Sequence, residues 1–126
     1  MYLQKLAIEI KDSAFDPDSP KNRVIKVRDA NSDRPLYQVF IYLEGPDLPF
    51  VESVEYVLHP TFQQPNRVVM RSPANPICKL TIWTWGIFSV EANIRDKRGG
   101  IQRLSHFLRY DRELEAPDVQ FERLPR

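Results

Sequence analysis

Between Val51 and Arg67 the chain reads VESVEYVLHPTFQQPNR, and the side chains there that are equipped for chemistry are a histidine, a hydroxyl and an aromatic ring: His59, Thr61 and Phe62. An imidazole can ligate a metal or satisfy neighbouring polar groups, and its company decides which. The only other histidine is His106, and two such ligands without Cys, Asp or Glu at regular spacing fall short of a closed metal site. The chain has no phosphate-cradling glycine loop, no HExxH, no nucleophile elbow and no zinc-like Cys/His spacing. These absences argue against an enzyme, so no catalytic residue, metal or cofactor is assigned. On composition alone, His59 packs its loop with its ring nitrogens satisfied by nearby backbone groups. Phe62 and Trp85, read the same way, cap the open end of a sheet.

The elements that must position these residues are strands. Val54, Tyr56 and Leu58 alternate with Val51, Ser53, Glu55 and Val57, a period-2 pattern that puts the first three on one face. Alternation stops at His59, because Pro60 and Pro65 remove backbone donors and fix φ. His59, Thr61 and Phe62 are therefore expected on an irregular segment at the sheet's end. A second strand, with Cys78, Leu80 and Ile82 opposite Lys79, Thr81 and Trp83, delivers Trp85 and Gly86. Trp83 falls on the opposite face, as an interaction surface or packed under a loop. Phe88, Val90, Ala92 and Ile94 continue as a half-buried strand, and Asp96–Gly100 reads as a hairpin turn. Leu104, His106, Leu108 and Tyr110 share one face of the returning strand.

Upstream, Leu6, Ile8 and Ile10 mark a first strand, Arg23–Arg28 a second, and Leu36–Leu43, apolar on both faces, a central one. Asp12–Asn22 and Asp29–Pro35 read as turns, and Arg67–Met70 as a short strand followed by the turn Arg71–Pro76. Eleven prolines against four glycines favour strands with stiff connections over helices. The expectation is an all-β, immunoglobulin-like β-sandwich of seven to eight antiparallel strands over residues 1–110, followed by a polar C-terminal tail, 111–126, that is either a frayed end or a docking segment.

The bulk properties agree with one soluble domain. At 126 residues, 42% hydrophobic and 28% charged, the chain is of ordinary globular composition and about one domain long. Eighteen Lys and Arg against 17 Asp and Glu leave a net charge of +1, without the basic excess that phosphate contacts favour, so nucleic acid is not an expected partner. Charges at Lys5, Glu9 and Lys11 interrupt the N-terminal apolar run, which excludes a signal-peptide core or a membrane span there. The single cysteine, Cys78, excludes an internal disulfide and fits a cytoplasmic location. Oligomeric state is left open.

The order strand, Leu58-His59-Pro60-Thr61-Phe62, then Pro65-Asn66-Arg67, resembles the YEATS domain, whose hallmark is a Leu-His-x-Ser/Thr-Phe loop followed by Pro-x-Arg. Downstream, Thr84-Trp85-Gly86-Ile87-Phe88 stands where the family has Gly-Trp/Tyr-Gly/Ala-x-Phe, with Thr84 departing from the usual glycine, and Leu43–Asp47 resembles the family's entry into the motif strand. The likeness covers roughly Tyr37–Tyr110, and the short chain looks most like the prokaryotic branch. It implies a non-enzymatic recognition module with a slot for acylated lysine lined by His59, Thr61, Phe62, Trp85 and Gly86. By this resemblance His59 shapes the floor and orients the Thr61 hydroxyl, Phe62 and Trp85 hold the flat acyl amide, and the Gly86 N–H meets the acyl carbonyl. The alternative is a protein–protein adaptor, in a bacterial signalling or defence system, that binds no acyl-lysine and uses sheet edges or the tail.

Overall fold

A computed structural model describes residues 5–29 and 34–125; the middle of the expected Asp29–Pro35 turn, residues 30–33, lies outside the described residues. The class is all-β. Among the described residues nine strands run in chain order as β1 (Glu9–Ser13), β2 (Val24–Asp29), β3 (Pro35–Glu44), β4 (Val51–Val57), β5 (Asn66–Met70), β6 (Leu80–Thr84), β7 (Ser89–Asp96), β8 (Ile101–Phe107) and β9 (Gln120–Leu124), with 3-10 turns at Leu48–Phe50 and Tyr110–Glu115. One sheet has the order β1-β3-β2-β9 with β6 also on β3, and the other has the order β5-β4-β7-β8. The chain divides into two compact units: residues up to Lys11 with Tyr42–Leu80 and Phe88–Phe107, and Asp12–Ile41 with Thr81–Ile87 and Leu108–Arg126.

The first unit contains the four-stranded sheet, all of it antiparallel, with Tyr56 opposite Arg67 on one side and opposite Ala92 on the other. Val54, Tyr56, Leu58, Val90, Ala92 and Ile94 are buried on one face, as the alternation of apolar and polar residues requires. Val51 is also fully buried, although alternation assigns it to the opposite face. A β-bulge between Val51 and Ser53 shifts the register and turns Val51 inward. Cys78 is fully buried with a left-handed φ of 52°, so β6 starts at Leu80 rather than at Cys78. The Tyr56 hydroxyl donates to the Cys78 carbonyl at 2.8 Å, and burial pushes the Cys78 thiol up to about 11, with Arg71 opposing.

Two turns in this unit depend on particular residues. At the β7–β8 hairpin, the Asp96 carboxylate accepts the backbone N–H of Arg98 at 2.7 Å and of Gly100 at 3.0 Å, while Gly99 takes φ +88°. Burial raises the Asp96 pKa, but these bonds and the Arg98 guanidinium outweigh it and hold the group below the usual carboxylate range. At the entry to β4, Gly45 sits at φ +149°, where an added Cβ would lie 2.2 Å from the Ala7 carbonyl oxygen. Only glycine fits there.

The second unit buries Ile25, Val27, Val39, Ile41, Ile82, Leu108 and Tyr110. Its C-terminal part differs from the expected polar tail, for residues 120–124 form β9, paired in parallel with β2 from Val24↔Gln120 to Arg28↔Leu124. The strand is polar and short, so its pairing depends on backbone bonds and on charge pairs at its flanks: Arg23 Nε donates to Asp118 at 3.0 Å, and Arg123 pairs with Asp29. Glu113, in the turn before it, accepts the Ala14 N–H at 2.6 Å and the Ser13 hydroxyl at 2.8 Å. Among the described residues nine strands, two of them forming the parallel pair β2–β9, thus replace the seven or eight antiparallel strands expected. Among the described residues no helix is long and apolar enough to cross a membrane.

Candidate functional site

β4 runs into the first loop without a break in hydrogen bonding, since the Leu58 N–H donates to the Pro65 carbonyl at 2.8 Å and closes the excursion of residues 59–64 at its base. The Arg67 guanidinium holds the far side, donating from Nε to the Gln64 carbonyl at 2.6 Å and from Nη2 to the Gln63 carbonyl at 2.9 Å. That clasp accounts for an arginine just after the loop, and for a non-glycine residue, Gln64, held at φ 55°. Both carbonyls would otherwise point into water.

Inside the clasp His59 and Thr61 form a pair. The Thr61 hydroxyl lies 2.8 Å from His59 Nδ1, and the Thr61 backbone N–H points at the same nitrogen from 3.3 Å. An N–H aimed at Nδ1 makes that nitrogen the acceptor, so the hydroxyl donates to it and turns its lone pairs outward. The Phe62 N–H donates to the His59 carbonyl at 3.0 Å. Phe88, immediately before β7, packs against both rings, 5.4 Å from Phe62 and 6.1 Å from His59 between centroids. Both distances fall in the range of favourable tilted and edge-on pairs. Phe62 keeps part of its surface open, and His59 and Thr61 are exposed.

The second loop belongs to the other unit and is built around the Gly86 peptide. Thr84, only 6% exposed, donates its hydroxyl to the Gly86 carbonyl at 3.1 Å and accepts the Gly86 N–H at 3.3 Å. The buried Tyr110 hydroxyl donates to the same carbonyl at 2.8 Å, and burial pushes this phenol up to about 12 against the opposing effect of Thr84. The threonine that departs from the family's glycine therefore serves as an internal strut for the loop. Gly86 needs neither its freedom nor its space, because φ is ordinary and an added Cβ would meet nothing within 4 Å. Trp85 is held out, 58% exposed, with the Arg34 guanidinium 4.2 Å from its ring centroid. Trp83 is half-buried, and the group over its ring is the Arg28 guanidinium of β2, also at 4.2 Å, a strand side chain where a covering loop was one of the two expectations.

His59, Thr61 and Phe62 thus stand together in one unit, and Trp85 and Gly86 together in the other. Sequence reasoning missed Phe88 and the Arg67 clasp as supports, and Tyr110 and Arg34 as partners of the second loop. Phe88 and Arg67 close their respective motifs, so the motif spacing held a signal for them. No periodicity pointed to Arg34. Among the described residues no group of three or more His, Cys, Asp or Glu is placed to hold a metal ion.

With this geometry in hand, the comparisons with known proteins are specific. A family model described as the prokaryotic YEATS domain matches residues 37–109. Transcription initiation factor TFIID subunit 14 of Schizosaccharomyces pombe is 37% identical over 79 residues, 61% of this chain and 31% of that protein, so the chain spans about a third of that curated relative's length. Among solved structures, the Yaf9 YEATS domain recognizing an H3K122suc peptide aligns with a TM-score of 0.57 at 18% identity, over 90% of this chain and 82% of that one. The yeast AF-9 homolog protein Yaf9 aligns at 0.53 and 20% identity, over 81% and 64% of the two chains. The Yaf9 YEATS domain bound to H3K27ac aligns at 0.52 and 19%, over 86% and 78%. The fold is that of these structures, in the immunoglobulin-like β-sandwich class expected from the sequence.

Proposed function

The chain belongs to the prokaryotic YEATS domain family, a family of non-catalytic reader modules, and from that premise we propose that it binds acylated lysine through its two aromatic loops. Ligand contacts are assigned to His59, Thr61, Phe62, Trp85 and Gly86. The observation that carries the proposal is the His59–Thr61 pair, with its 2.8 Å bond from hydroxyl to Nδ1, next to a partly open Phe62. A hydroxyl whose proton is committed to imidazole offers lone pairs, and an acyl-lysine amide N–H is the donor that suits them. The acyl carbonyl needs a donor in turn, and the Gly86 N–H, held by only a 3.3 Å bond to Thr84, is the one assigned to it.

Selectivity follows from charge. Free lysine carries a strongly hydrated ammonium whose transfer against aromatic rings is costly, whereas acylation leaves a neutral amide with one donor and one acceptor. Rings such as Phe62 and Trp85 contribute on the order of 1–3 kcal/mol each when a ligand buries them, which with a few hydrogen bonds corresponds to micromolar affinity. The Yaf9 structures support the class of ligand, since one recognizes an H3K122suc peptide and another is bound to H3K27ac. The buried thiol of Cys78 suits a reducing cytoplasm.

The test is calorimetric titration of acetyl-lysine and crotonyl-lysine peptides into the wild type, Phe62→Ala and Trp85→Ala, with thermal melts of all three. Binding by the wild type that is lost in both variants, with melting temperature moving only a few degrees, supports the reading. No binding at millimolar peptide refutes it. A second reading, a protein adaptor, draws on a different observation: the two edge strands of the four-stranded sheet carry exposed apolar side chains, Val68 and Met70 on β5 and Ile101 and Phe107 on β8. Edges of that kind accept an added strand, and this reading survives if acyl peptides fail.

A further inference from the structure

The Trp85 ring already has a companion. Arg34 is exposed, its guanidinium carbon lies 4.2 Å from the ring centroid, and it immediately precedes Pro35, whose pairing with Asp29 fixes the backbone at the start of β3. Arg28 covers Trp83 at the same distance, but the resemblance ends there. Arg28 is half-buried, with an Nε–H that has no hydrogen-bond partner among the described residues, and serves packing. Arg34 stands in solvent beside a ring that is 58% exposed. Other arginines have carboxylate partners: Arg23 with Asp118, Arg98 with Asp96 and Arg123 with Asp29. Among the described residues no carboxylate pairs with Arg34.

A guanidinium held over a ring still presents N–H donors at its edge, in the fork geometry that matches a carboxylate. We infer that Arg34 makes the Trp85 loop selective for acyl groups that end in a carboxylate, so that the ligand class is a dicarboxylic acyl-lysine such as succinyl-lysine. This inference rests on the reading that Trp85 receives the acyl amide. A neutral acyl chain competes with Arg34 for the ring and gains nothing from its charge. A chain ending in a carboxylate stacks its amide on the ring and accepts two charge-assisted bonds from the same guanidinium. Unmodified lysine is rejected twice, by the cost of desolvating its ammonium and by repulsion from Arg34.

The experiment compares two peptides of one sequence, carrying succinyl-lysine or butyryl-lysine, which share a four-carbon acyl chain and differ in a terminal carboxylate or methyl. Each is titrated by calorimetry into the full chain, as wild type, Arg34→Gln and Arg34→Lys, at low and high ionic strength. The wild type is expected to favour succinyl over butyryl by about tenfold or more, with the ratio shrinking at high salt. Arg34→Gln brings the ratio close to one, and Arg34→Lys, which keeps the charge and loses the fork, leaves an intermediate ratio. If the wild type binds butyryl-lysine as well as succinyl-lysine, or if Arg34→Gln leaves the ratio unchanged, the role of Arg34 is overturned while acyl-lysine binding stands. If neither peptide binds, the acyl-lysine reading fails and takes this inference with it. Should Arg34→Gln fail to fold, the Arg34→Lys ratio and the salt dependence decide alone.

Discussion

The Gly86 carbonyl accepts two buried hydroxyls, and removing them singly and together gives a result that a simple sum of contacts does not predict. In Tyr110→Phe the carbonyl loses its 2.8 Å bond but keeps Thr84, and in Thr84→Val it loses the 3.1 Å bond but keeps Tyr110. Tyr110→Phe is therefore expected to cost about 0.5–1.5 kcal/mol, the net value of an ordinary hydrogen bond whose acceptor remains satisfied, and Thr84→Val somewhat more, because it also takes the acceptor from the Gly86 N–H. In the double variant the carbonyl has neither partner, next to positions that are only 6% and 2% exposed. Gly86 itself is half-buried, so an unsatisfied acceptor there costs toward the lower end of about 1–3 kcal/mol, and the double variant should exceed the sum of the singles by about 1 kcal/mol, within the range seen for side chains that share a partner. Urea unfolding of the four proteins at a common m-value measures this directly. In melts each kcal/mol should appear as about 3–5 °C for a domain of this size. Additivity within about 0.3 kcal/mol would refute the reasoning, because it would mean that water, not the pair of hydroxyls, satisfies Gly86.

Alkaline pH should destabilise the protein in a predictable window. Burial pushes the Tyr110 phenol up to about 12, so above the ordinary tyrosine value of about 10 the unfolded chain releases its proton first. Stability present below that value is lost as pH rises toward the folded value. Tyr110→Phe should flatten part of this limb in a series of melts against pH, and the remainder is shared by Tyr56, which burial pushes further still, and by the buried Cys78 thiol. Gly45→Ala should be among the most damaging single changes, on the order of 2–4 kcal/mol or failure to fold, because it adds a backbone clash to an unfavourable φ; soluble expression and urea unfolding would show it. Deleting residues 117–126 removes β9 and bares the β2 edge, so melts should show a lower transition and light scattering a greater tendency to associate. His59→Ala frees the Thr61 hydroxyl to rotate, and calorimetry should find acyl-peptide affinity reduced about 5- to 10-fold, equivalent to about 1 kcal/mol, with little change in melting because the imidazole is exposed.

The parts of this protein that were legible in its sequence are those governed by period. Val54, Tyr56 and Leu58 announce a buried strand face because each pair is separated by a polar or smaller residue, and β7 is readable for the same reason. Motif spacing located both loops, since Pro60 and Pro65 cannot continue a sheet and Trp85 follows directly on β6. What stayed hidden depends on geometry that does not repeat. The bulge that turns Val51 inward leaves no mark in composition. β9, which reads QFERL, lacks an apolar face because it joins the sheet as an edge strand, and a parallel partner far away in sequence cannot be found from local pattern. The Arg34–Trp85 contact belongs to the same class, being a pairing of two exposed side chains from separate segments. Thr84 shows the reverse case, in which a departure from the motif was visible at once and its purpose became clear only from the two bonds its hydroxyl makes.

The left-handed turn at Cys78 gives this protein a reporter of its own opening. A thiolate is the reactive species toward alkylating and disulfide reagents, and here the thiol is both inaccessible and pushed up to about 11, so the native protein should react with neither. Modification must wait until the sheet around Tyr56 opens and the sulfur returns to water and to its ordinary acidity. Because this is the only cysteine in the chain, the rate of thiol labelling at neutral pH counts those openings without any engineered probe. When opening and closing are fast relative to labelling, the rate reads the free energy of that opening, and a ligand that binds only the closed form slows labelling in proportion to its occupancy. The same single sulfur can therefore register structural stability and ligand binding in one chemical measurement.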